Sequence, residues 1–222
     1  MPLTENDIRI FRPLGDRATQ RIGFVVYPNF QVMGFAALAV FEVTNLVAGE
    51  NVYNVQLLSE HGGLVRASAG FRVDTEAFGR KLFDTVIIGP GTELHPTTPA
   101  LIKFIQRARK TARRVAAPRT GAFSLAEAGV LNGRRATTHE AFARELRTRF
   151  PELDVGEDRS FIIDGPVWPS AGMTQLSIWP SRWLKRILGR NRTIRRVQAR
   201  GLPSPRGWLG SELINLCAST IR

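Results

Sequence analysis

The stretch Pro118-Arg119-Thr120-Gly121-Ala122-Phe123 limits what this chain can fold into more than any other. Before it, Arg113-Arg114-Val115-Ala116-Ala117 reads as a short buried strand. After it, Ser124-Leu125-Ala126-Glu127-Ala128 carries small and apolar residues at helical spacing and stops at Gly129. A strand that turns sharply into a helix projects one side chain above the carboxyl end of a sheet, beside the amide donors of the helix start. Many α/β enzymes present an activated nucleophile this way. Here the turn holds Arg119, which has no nucleophilic chemistry at neutral pH. The frame is enzyme-like and the reactive atom is missing.

Elsewhere strand-like and helix-like runs alternate. Residues 21–27 are nearly all apolar, as a strand covered on both faces must be. Residues 32–47 read as a mostly apolar helix broken by Glu42 and Asn45, and 52–58 as a second strand. His61-Gly62-Gly63 is a turn signal, and 64–66 pairs with 71–73 in a hairpin around Ser68-Ala69-Gly70. Residues 84–88 make a third parallel strand ending in Gly89-Pro90-Gly91. Thr98, with Pro99 at the first helical position, opens a basic amphipathic helix through Lys110. A short strand at 135–138, a helix at 140–149 and late strands at 161–163 and 167–170 follow. This alternation implies right-handed βαβ crossovers. It predicts an α/β fold with a doubly wound, mostly parallel sheet flanked by helices.

The segment Thr120-Gly-Ala-Phe-Ser-Leu-Ala-Glu-Ala-Gly-Val-Leu-Asn-Gly-Arg-Arg-Ala-Thr-Thr-His139 resembles the signature of the ThiJ/PfpI group of the class I glutamine amidotransferase-like superfamily. It is most similar to the amino-terminal domain of AraC-type transcriptional regulators, where Val-Cys-Thr-Gly-Ala-Phe precedes Leu-Ala-Glu-Ala-Gly-Leu-Leu-Asp-Gly-Arg-Arg-Ala-Thr-Thr-His. Tyr27-Pro-Asn-Phe-Gln-Val-Met33, Val40-Phe-Glu-Val-Thr-Asn45, Phe83-Asp-Thr-Val-Ile-Ile-Gly-Pro-Gly91 and Asp164-Gly-Pro-Val-Trp-Pro-Ser-Ala-Gly-Met-Thr174 occur in family order. The resemblance implies a flavodoxin-like domain over residues 20–174 after an extension at 1–19. It also implies a small-metabolite ligand, homodimerisation, and DNA contact only through a carboxy-terminal pair of helix-turn-helix units. No such pair is recognisable after residue 174, so the chain reads as a regulator lacking its DNA-binding domain.

Charge marks where the resemblance stops. From Gln175 to Arg222 ten Lys or Arg face one acid, Glu212, so nine of the twelve net positive charges lie there, with Trp179, Trp183 and Trp208. Arginine-rich, proline-punctuated sequence with tryptophans is what GC-rich DNA yields out of frame, and a frameshift near codon 174 is expected. Ser211-Glu-Leu-Ile-Asn-Leu216 resembles the family's interdomain linker, which would mark a restoring shift. The alternative is a basic arm whose arginines contact phosphates while its tryptophans stack on bases. Loss of the family's last sheet-packing helix predicts self-association through the exposed face. The remaining composition, 43% hydrophobic over 222 residues, suits one globular domain. No apolar run approaches the roughly 18 residues that cross a bilayer. No signal core opens the chain, so a cytoplasmic location is the default.

Ligands of doubly wound sheets sit outside the carboxyl ends of strands, where the winding direction switches. That places Gly89, Pro90, Gly91, Arg119, Thr120, Gly121 and His139 around one crevice. Gly89 and Gly91 have a plainer explanation in the tight turn, and Arg119 either points into water or makes the crevice receptive to a carboxylate or phosphate. Thr120 is a candidate helix cap. Active members of the superfamily pair the elbow cysteine with an acid from the first helix; the resemblance puts Ala39 at that position, with Glu42, a helical turn away, a weak substitute for that acid and a further candidate ligand-binding residue. Ser124 reads as a core or solvated hydroxyl, and the lone Cys217 has no base near it in sequence. His61, His95 and His139 lack ligand spacing, and Gly62-Gly63 does not extend into a phosphate loop, so neither metal nor nucleotide cofactor is expected. These readings favour a non-catalytic sensing and dimerisation domain. The alternatives are a small ThiJ/PfpI-type enzyme of the hydrolase or lyase kind, disfavoured by Arg119 and Ala39, and a decayed gene product.

Overall fold

A computed structural model describes residues 19–48, 51–156 and 159–172. The expectations for residues 1–18 and for the basic segment 175–222 lie outside the described residues.

Seven strands form one sheet: β1 (Gln20–Val25), β2 (Tyr53–Ser59), β3 (His61–Arg66), β4 (Arg72–Ala77), β5 (Thr85–Ile88), β6 (Arg114–Pro118) and β9 (Val167–Ser170). Their order is β3-β4-β2-β1-β5-β6-β9, and every neighbouring pair is parallel except β3–β4. The chain starts in the middle with β1, winds outward to one edge, returns to β5 beside β1 and winds to the other edge. The winding therefore switches between β1 and β5, as a doubly wound sheet requires. β7 (Arg135–Ala136) and β8 (Asp154–Val155) make a separate parallel pair.

Alternation along the central strands builds two cores, one on each face. Val86 and Ile88 of β5 and Val115 and Ala117 of β6 pack against Leu101, Phe104, Ile105 and Ala108 of α2 (Pro99–Thr111). Leu125 of α3 (Gly121–Glu127) and Leu146 of α4 (Glu140–Arg149) join that core. Ile87, Ala116 and Trp168 turn to the opposite face and join Ala37 and Phe41 of α1 (Ala36–Ala48). Strands buried on both faces explain why β5 and β6 read as unbroken apolar runs. α2 begins as expected: the Thr98 hydroxyl accepts from Leu101 N at 3.2 Å with Pro99 behind it, and Arg109 and Lys110 stand in the last turn.

Several boundaries differ from the sequence expectation. The helix expected from residue 32 starts as a 3-10 turn, Val32–Phe35, and becomes α-helical at Ala36. Gly34 sits there because a Cβ would lie 3.0 Å from the Pro90 ring and 3.1 Å from Phe24. Asn45, which broke the apolar pattern, ties α1 to β2: its amide donates to Tyr53 O at 2.7 Å and its oxygen accepts from Tyr53 N at 2.9 Å. His61-Gly62-Gly63 is the start of β3 rather than a turn. Both glycines have positive φ (74° and 72°), and the Ser59 and Thr75 hydroxyls bind their backbone. The strand expected at 161–163 reduces to a single bridge between Phe161 and Ser170, because Ile162 N donates to Pro169 O but Pro169 has no N–H to return to Ile162. The strand expected at 135–138 keeps two residues, and its partner β8 carries no periodic signal at two residues long. Among the described residues no helix is long and apolar enough to cross a membrane.

Candidate functional site

The β6–α3 elbow has the backbone that the sequence implied. Arg119 adopts φ 49°, one of two positive-φ residues other than glycine among those described. Holding an L-residue there costs about 1–3 kcal/mol, and the conformation persists only where the surroundings enforce it. Three hydrogen bonds do so. Arg119 N donates to Ser170 O at 2.8 Å, while its carbonyl accepts from the Thr138 hydroxyl at 2.8 Å and from Ala122 N at 3.2 Å. Gly121, the next residue but one, fits only as glycine, since a Cβ would stand 2.6 Å from Ile88 O. The elbow is thus pressed against the end of β5, and its strained residue is pinned from both sides.

The Gly89-Pro90-Gly91 turn after β5 is built for packing. Gly89 N donates to Val25 O at 2.9 Å, and a Cβ on Gly89 would lie 2.6 Å from that same oxygen. Pro90 has no N–H, and its carbonyl accepts from Gln31 N at 2.8 Å. Thr120 Oγ1 accepts from Gly91 N at 2.9 Å and lies 3.1 Å from Gly91 O, to which it can donate. The Tyr27 hydroxyl donates to Gly89 O at 3.0 Å. Burial pushes the Tyr27 phenol up to about 12, opposed by hydrogen bonding from Thr120 and from the Gly91 backbone. Every N–H of this turn is therefore engaged or absent. The expectation that Thr120 caps α3 is corrected: its side chain makes no cap bond and instead ties the elbow to Gly91.

Thr120 and Gly121 lie against the Gly89-Pro90-Gly91 turn, through the Thr120–Gly91 hydrogen bonds and the close approach of Gly121 to Ile88 O and Gly89 O, with Arg119 next to them in the chain. His139 follows Thr138, whose hydroxyl holds the elbow, but its ring is committed to α4: Nδ1 accepts from Ala141 N at 3.2 Å. Glu42 is exposed on α1, as is Ala39, and neither bonds to the elbow. Ser124 is buried and its hydroxyl accepts from the Thr97 hydroxyl at 3.0 Å. Glu127, on the same helix, accepts from Thr97 N at 2.6 Å and pairs with Arg149 at 3.5 Å. These bonds lash the loop before α2 to the elbow helix. Among the described residues, no three His, Cys, Asp or Glu side chains cluster as a metal site would need.

Sequence reasoning missed Tyr27, Thr138 and Ser170 as supports of the site. Thr138 carried one available signal, a polar residue in a stretch that turns out to be fully buried. Chemically the arrangement holds a guanidinium above the sheet edge, where a thiol or hydroxyl would be needed for attack.

The profile of the DJ-1/PfpI family matches residues 21–185. The HTH-type transcriptional regulator CdhR of Pseudomonas aeruginosa is 35% identical over 160 residues, covering 70% of this chain and 47% of that protein. The HTH-type transcriptional regulator GlxA of Rhizobium meliloti is 35% identical over 164 residues, covering 70% of this chain and 49% of that protein. The chain thus spans about half the length of the relatives it matches. The crystal structure of an AraC family transcriptional regulator from Pseudomonas putida has the same fold, with a TM-score of 0.69 at 19% identity over 82% of this chain and 99% of that one. By its sequence profile, its sheet order and its strained elbow, the chain belongs to the DJ-1/PfpI family.

Proposed function

We propose that this chain supplies the metabolite-sensing and dimerisation domain of an AraC-type transcriptional regulator, acts in the cytoplasm, and performs no catalytic step of its own. The observation that carries this reading is Arg119 at the elbow: a permanently charged guanidinium binds but does not attack. Relatives named as HTH-type transcriptional regulators support it, with DNA reached through a domain outside the matched part. In this reading residues 20–174 form the sensing domain. Gly89, Pro90, Gly91, Thr120 and Gly121 wall the crevice and Arg119 is its charged group, while the His139 ring serves the start of α4 and Glu42 lies exposed on α1. The change of composition after Thr174 is attributed to a shift of reading frame, which translation of the coding DNA in the other two frames tests directly.

The functional test pairs binding with chemistry. A panel of small metabolites should contain one that raises the unfolding temperature, while aldehyde, amide and isonitrile substrates stay unconverted. Arg119→Cys should give a thiol titrating near the free value of about 8.5, since no base is poised beside it. Turnover by the natural protein that Arg119→Gly abolishes, or a thiol titrating below about 7 in Arg119→Cys, would restore the enzymatic reading.

A further inference from the structure

We propose that Arg119 anchors a small oxyanion, the carboxylate or phosphate end of whatever metabolite the crevice holds; the inference rests on the sensing reading and names the chemistry its ligand must carry. Three observations support it. First, the backbone at residue 119 is held in a conformation that glycine would adopt without strain, yet the residue is arginine. A strained turn kept without a nucleophile to present directs attention to the side chain it projects. That side chain is a cation. Second, other arginines of the domain have partners and Arg119 has none. Arg134 pairs with Asp164 at 2.7 Å, Arg149 with Glu127 at 3.5 Å, and Arg107 donates to Gly79 O and lies over the Phe104 ring. Among the described residues no carboxylate lies within ion-pair reach of the Arg119 guanidinium, and its Nε is buried without an acceptor. Burial also lowers its affinity for a proton, which marks a charge removed from water without compensation. Third, the guanidinium is still partly accessible at the sheet edge, so an incoming group can reach its terminal nitrogens.

A planar fork with free donors matches the two oxygens of a carboxylate or phosphate better than any neutral group does. An oxyanion bound there satisfies donors that water reaches poorly. It also gives the strained turn a function that its loss of the family's cysteine would otherwise have removed.

The test titrates the full chain with sodium acetate and, separately, with inorganic phosphate at constant ionic strength, with chloride as control, followed by NMR shifts and by unfolding temperature. Saturable binding is expected for at least one of the two. It should weaken in Arg119→Lys, which keeps the charge without the fork, and fall by roughly 10–100-fold in Arg119→Gln. Arg119→Gly, which relaxes the backbone, should unfold no earlier than the natural protein and still fail to bind, separating anchoring from folding. A response to acetate alone assigns a carboxylate, and to phosphate alone a phosphate. The proposal is overturned if neither anion binds more tightly than chloride, or if Arg119→Gln binds as the natural protein does. Should an uncharged metabolite still raise the unfolding temperature in that case, the anchor falls and the sensing reading stands.

Discussion

Two strand ends meet at the same edge of the sheet and are built in opposite ways. At the end of β5, Gly89 and Gly91 let backbone, Tyr27 and Thr120 close in until every N–H has an acceptor. At the end of β6, three hydrogen bonds hold Arg119 in a strained conformation while its side chain goes without a partner. One end spends its polar groups on packing and the other keeps a charge in reserve. Glycines near a site therefore need not be part of its chemistry, whereas strain on a residue that glycine could replace is a sign of use.

The comparison can be broken first at the packed end. Gly121→Ala drives a methyl to 2.6 Å from Ile88 O, a backbone atom that cannot step aside, and should destabilise by about 3 kcal/mol in urea unfolding. A midpoint within error of the natural protein would mean that the two strand ends are not tightly pressed together. Thr120→Val keeps the shape and removes the hydroxyl, leaving the buried Gly91 N–H and carbonyl without that partner. A loss of about 2 kcal/mol is expected, with anion binding retained.

Alkaline titration sharpens the same contrast. The Tyr27 phenol ionises near 12 when folded and near 10.0 when unfolded. The unfolded chain sheds its proton first, so this stabilisation is complete below pH 10 and is lost as pH rises towards 12. The slope reaches at most about 1.4 kcal/mol per pH unit, and Tyr27→Phe should flatten it; an unchanged slope would show that the phenol is solvated. The smallest effect belongs to the open end. Arg119→Gly relieves the positive φ and should raise stability by about 0.5–1 kcal/mol, and a loss instead would mean that the side chain is structural.

Much of this architecture was legible because burial imposes a pattern. β5 and β6, covered on both faces, show as apolar runs, and the cap of α2 shows as Thr98-Pro99. The elbow was legible from the order of small residues after Pro118, since Gly121 is dictated by contact with Ile88. What stayed hidden depended on tertiary partners. Thr120 has the composition of a helix cap, but Gly91 offers its hydroxyl both a donor and an acceptor. Gly62 and Gly63 look like a turn, yet pairing with β4 draws them into a strand. Two-residue strands such as β8 are too short for any periodicity. His139 was placed at the crevice by its neighbours in sequence, while its ring serves the start of α4.

The peptide units on either side of Arg119 are shared property. The N–H belongs to a bond with β9 through Ser170, and the carbonyl to a bond with Thr138 just ahead of α4. A twist of this residue by the width of one hydrogen bond loosens both tethers together. Ser170 is the final residue of β9, so the last strand of the sheet and the approach to α4 are fastened to one and the same residue of the elbow.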